Sequence, residues 1–201
     1  MAACGQGSHP GVQELITACD GGDPAEIRRL LERNVYAAND VKNSRCFHQS
    51  CVNGRLGIAK MLASTFGLTP ENAKDQLGTV FFGDVNPKIA KWFHNTFPTS
   101  PLDLDNQFTA LRSACRQSDL EFAKWCVRNY DLASDKHDRA RILHEMEYIL
   151  LFVRFNDDEV VLKWLVETFK LTFGEIEGLG VMGWSFKSPK VTKCLQDLKL
   201  C

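Results

Sequence analysis

Apolar positions along the chain form short helical stripes that recur at a nearly constant interval. The central residues of these stripes, Ile27, Ile58, Ile89, Phe122, Val161 and Val191, follow one another by 31, 31, 33, 39 and 30 residues. A period in that range marks a repeat architecture, whose units bury their apolar faces against their neighbours. The stripes read AEIRRLLERN (25–34), LGIAKMLASTFGLT (56–69), PKIAKWFHNTF (87–97), LEFAKWCVRNYDL (120–132), EVVLKWLVETFKLT (159–172) and PKVTKCLQDL (189–198). In Ile58, Met61, Leu62 and Phe66 the apolar residues fall at i, i+3, i+4 and i+8, one face of a helix. Two places after each centre stands a base (Arg29, Lys60, Lys91, Lys124, Lys163, Lys193), and three places after stands Leu30, Met61, Trp92, Trp125, Trp164 or Cys194. Each stripe therefore predicts an amphipathic helix, here termed helix B.

Before each centre lies a second short run of apolar and small residues: LITAC (15–19), CFHQSC (46–51), TVFFG (79–83), ALRSAC (110–115), ILLFV (149–153) and VMGWSF (181–186). These predict helix A. The segments between A and B, such as Asp20-Gly-Gly-Asp23, Asn53-Gly54, Gln117-Ser-Asp119 and Asn156-Asp-Asp158, supply residues suited to a left-handed helix end and to capping the next helix. Between units, Thr69-Pro70 and Ser100-Pro101 place a capping hydroxyl before proline, and β-branched alternation is missing from the linkers. The predicted fold class is all-α, a single domain of six helix-turn-helix repeats stacked as a solenoid. A flexible tail covers 1–11, and the repeats lie near 12–40, 41–73, 74–102, 103–134, 135–174 and 175–201.

ELITACDGGDPAEIRRLLERNVYAAND (14–40) resembles the amino-terminal unit of the ankyrin-repeat family, with Ala-Cys, a Gly-Asp turn and an Ile-x-x-Leu-Leu helix. CFHQSCVNGRLGIAKMLASTFGLTPENA (46–73) is similar to a later ankyrin unit, and the frame can be followed over 14–198. The Thr-Pro-Leu-His opening of helix A is missing in every unit, and sequences such as Thr65-Phe-Gly-Leu-Thr69 replace the family's loop after helix B. The resemblance thus implies ankyrin-like helix pairs with β-hairpin fingers reduced or absent. It also implies a scaffold or adaptor that binds a protein partner and catalyses nothing.

Composition narrows the function classes. The chain of 201 residues is 44% hydrophobic and 24% charged, with Lys+Arg 24 against Asp+Glu 25 and a net charge of -1, so no overall field draws it to nucleic acid or an anionic membrane. No apolar run reaches the roughly 18 residues that span a bilayer, and the opening ten residues lack the basic and apolar segments of a signal peptide. Eight cysteines spread through apolar helical patterns read as thiols in a reducing compartment. The expected location is cytoplasmic.

Several residue groups invite a chemical reading. Cys46-x-His48-x-x-Cys51, with Cys4 and His9, has zinc-ligand types but lacks paired ligand spacing; small core residues at a repeat register explain Cys51 better, alongside Cys19 and Cys115. Trp92, Trp125 and Trp164 offer a platform for stacking bases, yet their stripe membership predicts a buried ladder, in which truncating Trp125 would cost about 3–5 kcal/mol. The basic column from Arg29 to Lys193 reads as a solvated face. Asp157-Asp158 and His137-Asp138-Arg139 lack a second motif, and Gly174–Gly183 lacks the order and the preceding strand of a dinucleotide loop. No metal site or cofactor is implied, and no enzyme activity. The alternative to protein binding is a regulatory nucleic-acid- or zinc-binding module.

The interval of 39 residues between Phe122 and Val161 is the irregular one, and insertions in repeat arrays map to loops on one face. It predicts a longer helix A from about Ser134 to Phe155. Lys136, His137, Arg139 and Arg141 become the first partner-binding candidates, and replacing all four should leave melting nearly unchanged. The edges of helix A add Arg45, His48, Arg112 and Gln117.

Overall fold

A computed structural model describes residues 10–33, 46–69, 86–97 and 104–179, together with 193, 196 and 197. The described residues are helical or in turns, with no strand among them. The chain divides into two compact units, Met1–Leu102 and Asp103–Cys201.

The first unit holds α1 (Pro10–Gly21), α2 (Pro24–Arg33), α3 (Cys46–Val52), α4 (Leu56–Thr65) and α5 (Pro87–Thr96). Helix α1 packs on α2 and α3, and α3 packs on α4. The second unit holds α6 (Leu104–Arg116), α7 (Leu120–Tyr130), α8 (Arg139–Asn156), α9 (Glu159–Phe169) and α10 (Phe173–Gly178). Helix α6 packs on α7 and α8, and α8 packs on α9. In both units a helix A thus touches its own helix B and the next helix A. The stripe centres Ile27, Ile58, Ile89, Phe122 and Val161 are all buried, each contributing about 1.5–3 kcal/mol of apolar burial. Val191 lies outside the described residues.

The turn from A to B is the same in both units. Gly22, Gly54, Ser118 and Asp157 each adopt a left-handed φ, between 54 and 78°. The next backbone N–H closes back over the helix end, from Arg55 to Ser50 O, Asp119 to Ala114 O and Asp158 to Val153 O. Asp119 and Asp158 then accept from the backbone N–H of Phe122 and Val161, so one residue ends helix A and caps helix B. Asn86 caps α5 in the same way, accepting from Lys88 N and Ile89 N. A Cβ on Gly54 would stand 2.5 Å from Asn86 Nδ2. Gly54→Ala is therefore expected to displace this cap and cost about 1–2 kcal/mol, read as a lower urea midpoint; an unchanged midpoint would show that the cap re-forms.

Helix B also ends on a left-handed residue, Gly67, Asp131 or Lys170. Leu68, Leu132 and Leu171 then donate to Ala63 O, Val127 O and Val166 O, a closure that satisfies otherwise orphaned carbonyls. The Thr-Phe-Gly-Leu-Thr type of linker is thus a helix stop, and the described linkers contain no strand.

Two expectations need correcting. Helix α8 starts at Arg139 and not at Ser134: residues 131–138 are turns, because Lys136 Nζ and His137 Nε2 bond back to Asp131 and Asp138 caps the helix by accepting from Ala140 N. The tryptophans are half-buried, not a buried ladder. Three places after the centre is the edge of the stripe, where Leu30 is covered but an indole protrudes. Trp92 meets Phe47 edge-on at 6.3 Å, and Trp125 stacks on Phe122 at 5.9 Å. The basic column is solvated as expected at Arg29, Lys60, Lys124, Lys163 and Lys193, while Lys91 is half-buried. Arg29 pairs with Glu26 and Lys124 with Glu121 along the same helix turn.

Candidate functional site

The seam between α6 and α8 is a ladder of side chains. Arg141 pairs with Asp105 and, at 3.1 Å, with Glu145. Glu145 is buried, and its second oxygen lies 3.5 Å from Arg112 Nε. Arg112 donates to Thr109 Oγ1 at 3.0 Å and places its guanidinium 5.7 Å from the Tyr148 ring centre. One turn on, Arg116 lies 5.9 Å from the Phe152 ring, and Asn156 Nδ2 donates to Arg116 O at 2.6 Å. The buried carboxylate between two guanidiniums fixes the register of the helices, because losing either partner leaves charge where water is scarce.

The left-handed residues Ser118 and Asp157 align α6 with α8 position by position. Inward registers match: Ala110 and Ile149, Leu111 and Leu150, Ala114 and Val153 are all buried. Outward registers do not. Where α6 carries Thr109, Arg112 and Arg116, α8 carries Tyr148, Leu151 and Phe155. Tyr148 is 43% exposed and Phe155 is 71% exposed, on the side of a helix that amphipathic patterning reserves for polar residues. Arg154 lies 5.8 Å from the Phe155 ring, and His144 meets Tyr148 edge-on at 5.3 Å. In α3 the registers of Leu151 and Phe155 hold half-buried His48 and exposed Val52.

Two of the expected edge residues, His48 and Arg112, therefore share the register of Leu151. Gln117 is exposed and donates to Ser113 Oγ at 2.9 Å, while Arg45 lies outside the described residues. Tyr148, Leu151 and Phe155 were not singled out from sequence, because they lie in or beside the run ILLFV (149–153), which reads as core. Their signal emerges only when that run is aligned with ALRSAC by the turn that follows each.

The insertion candidates divide into two pairs. Lys136 is exposed and makes a surface pair with Asp131 at 3.2 Å, a contact of little energetic weight; His137 bonds Asp131 O at 3.0 Å. Arg139 and Arg141 point to partners within the chain. Arg139 grips Glu175 through two bonds of 2.8 and 2.7 Å and donates to Phe169 O and Lys170 O at the end of α9. Glu175 also completes a capping box with Thr172. The Arg139 guanidinium, with the Thr172 bonds, holds the Glu175 carboxyl at about 2.

The remaining sequence motifs find structural places. Cys19, Cys46 and Cys51 are buried, and Ser50 Oγ donates to Cys46 O at 2.7 Å. Cys4 and His9 lie outside the described residues, among which no three His, Cys, Asp or Glu side chains are placed to hold a metal. Asp157 is the left-handed helix stop and Asp158 the cap. Residues 174–178 of the glycine-rich run lie in α10, and the part of it beyond Leu179 lies outside the described residues. No described helix is long and apolar enough to cross a membrane.

No family model, curated protein or solved structure matches this chain.

Proposed function

We propose that the chain is a non-catalytic protein-interaction module of ankyrin-like helix pairs that takes its partner on the outward face of helix A, above all on α8. Supporting this reading is the exchange of Thr109, Arg112 and Arg116 for Tyr148, Leu151 and Phe155, which leaves Tyr148 and Phe155 exposed at the edge of the seam. Exposed aromatics beside arginines are the side chains that dominate protein interfaces. The repeat frame read from the sequence, and the turn geometry shared by both units, favour helix pairs of one repeating kind. A cytoplasmic setting agrees with five described cysteines that are buried and reduced. Lys136 and His137, in the turn before α8, are retained as secondary candidate contacts.

The test is the double variant Tyr148→Ser/Phe155→Ser. Its melting temperature should stay within error of the parent, since both rings are exposed, while capture of the native partner falls at least tenfold, about 1.4 kcal/mol. Full capture by a folded variant would reject this face as the binding surface.

A further inference from the structure

We infer that Cys19 of α1 and Cys46 of α3 form a redox latch, a dithiol that hydrogen peroxide closes to a disulfide tying the first helix pair to the next. This inference is independent of the α8 surface. Helix α1 packs on α3, and at that contact the Cys19 thiol shares a hydrogen bond with the Cys46 thiol and lies within hydrogen-bond reach of the Ser50 hydroxyl. Cys46 and Ser50 stand one turn apart on α3, Ser50 Oγ donates to Cys46 O at 2.7 Å, and all three residues are fully buried. Arg55, just beyond α3, donates to Cys19 O and so fixes the end of α1 against it. Thiols already touching across a packed helix pair meet the first geometric requirement for a disulfide. With two ligand side chains the cluster falls short of a metal site. In a reducing compartment a disulfide is most often a transient bond with a redox-sensing or catalytic role.

Access governs the chemistry. The thiolate is the nucleophile, and the Cys46 hydrogen bond, followed by burial, holds the Cys19 thiol far above its ordinary pKa. For Cys51, on the same helix as Cys46, the cause is burial. Reaction requires α1 to lift from α3. One thiol then loses its proton to water, and its sulfur attacks a peroxide oxygen. The O–O bond breaks, leaving a sulfenic acid and a hydroxide that takes up the proton. When the helices close again, the second sulfur attacks the sulfenic sulfur, the S–O bond breaks, and water leaves with the second thiol's proton. Two thiols and one hydrogen peroxide give one disulfide and two waters, and the sulfurs lose two electrons. The closed loop contains all of α2, and a cross-link of that span restricts the unfolded chain, which favours the closed arrangement.

The full chain is treated with hydrogen peroxide in urea just below its midpoint and then returned to buffer. The expected product has lost two hydrogens and yields a non-reduced tryptic peptide whose fragments join Cys19 to Cys46. Its urea midpoint should rise and return to the starting value with dithiothreitol. Cys51→Ala should keep both the linked peptide and the shift, whereas Cys46→Ala should lose both. A Cys46→Ala chain that fails to fold does not affect the outcome, because the link is identified in the unsubstituted protein. The latch is overturned by sulfinic or sulfonic acid at Cys19 and Cys46 in place of a link, by a disulfide that takes Cys51 in place of Cys46, by no reaction, or by a linked product with an unchanged midpoint.

Discussion

Arg139→Ala should lower the stability of the second unit by about 2 kcal/mol, the scale of losing charge-assisted hydrogen bonds at a partly exposed site. Four bonds disappear together: two to Glu175 and one each to Phe169 O and Lys170 O. They tie the start of α8 to the end of α9 and the first turn of α10. The effect carries a pH signature. Glu175 titrates at about 2 in the folded chain, below its ordinary 4.5, so its contribution is full above 4.5 and is lost as pH falls from there toward 2. Urea midpoints measured down through that window should drop in the parent and drop less in Arg139→Ala. Equal midpoints at neutral pH would contradict the clamp. The sequence-based expectation that the four insertion residues can be replaced without thermal cost therefore does not extend to Arg139.

Phe122→Ala is expected to cost about 3–5 kcal/mol, as a fully buried aromatic does, and Trp125→Ala about 1–2 kcal/mol in proportion to its smaller apolar burial. Phe122 is 1% exposed and its backbone N–H is the group that Asp119 caps. Trp125 lies over it, nearly parallel at 23°, and meets Tyr130 edge-on at 5.4 Å. The indole is a cover and the phenyl is the core. Comparable urea midpoints for the two variants would restore the buried ladder that the repeat column suggested.

The legible part of this fold was whatever depends on local period and turn chemistry. The described stripe centres and the Asp caps before Ile27, Phe122 and Val161 follow from spacing, because a helix face and a capped turn are defined within a few residues; the roles of the other turn residues did not, since Asn86 caps a helix and the left-handed ends fall on Ser118 and Asp157 where Gly or Asn was expected. What escaped depends on depth and on the neighbouring helix. Leu30 and Trp125 share a register, yet side-chain size decides which is covered. Arg139 and Arg141 look like solvated charges in a polar insertion, and their partners lie about 36 residues away at Glu175 and Asp105. The run around Tyr148 and Phe155 carries apolar residues on both sides of a helix, so hydrophobicity alone gives no orientation. Only the matching left-handed turns after α6 and α8 tell which residues point outward.

The buried thiols provide a clock. Burial pushes Cys51 up to about 12, and burial with the nearby Asp158 charge pushes Cys115 up to about 12. Alkylation requires an accessible thiolate, so each side chain reacts only when its surroundings open. Cys51 belongs to the first unit and Cys115 to the second. Pulse alkylation followed by peptide mass spectrometry would then time the opening of each unit separately, in one sample and without any introduced label. Partner binding at α8 should slow the Cys115 clock and leave that of Cys51 as the internal reference.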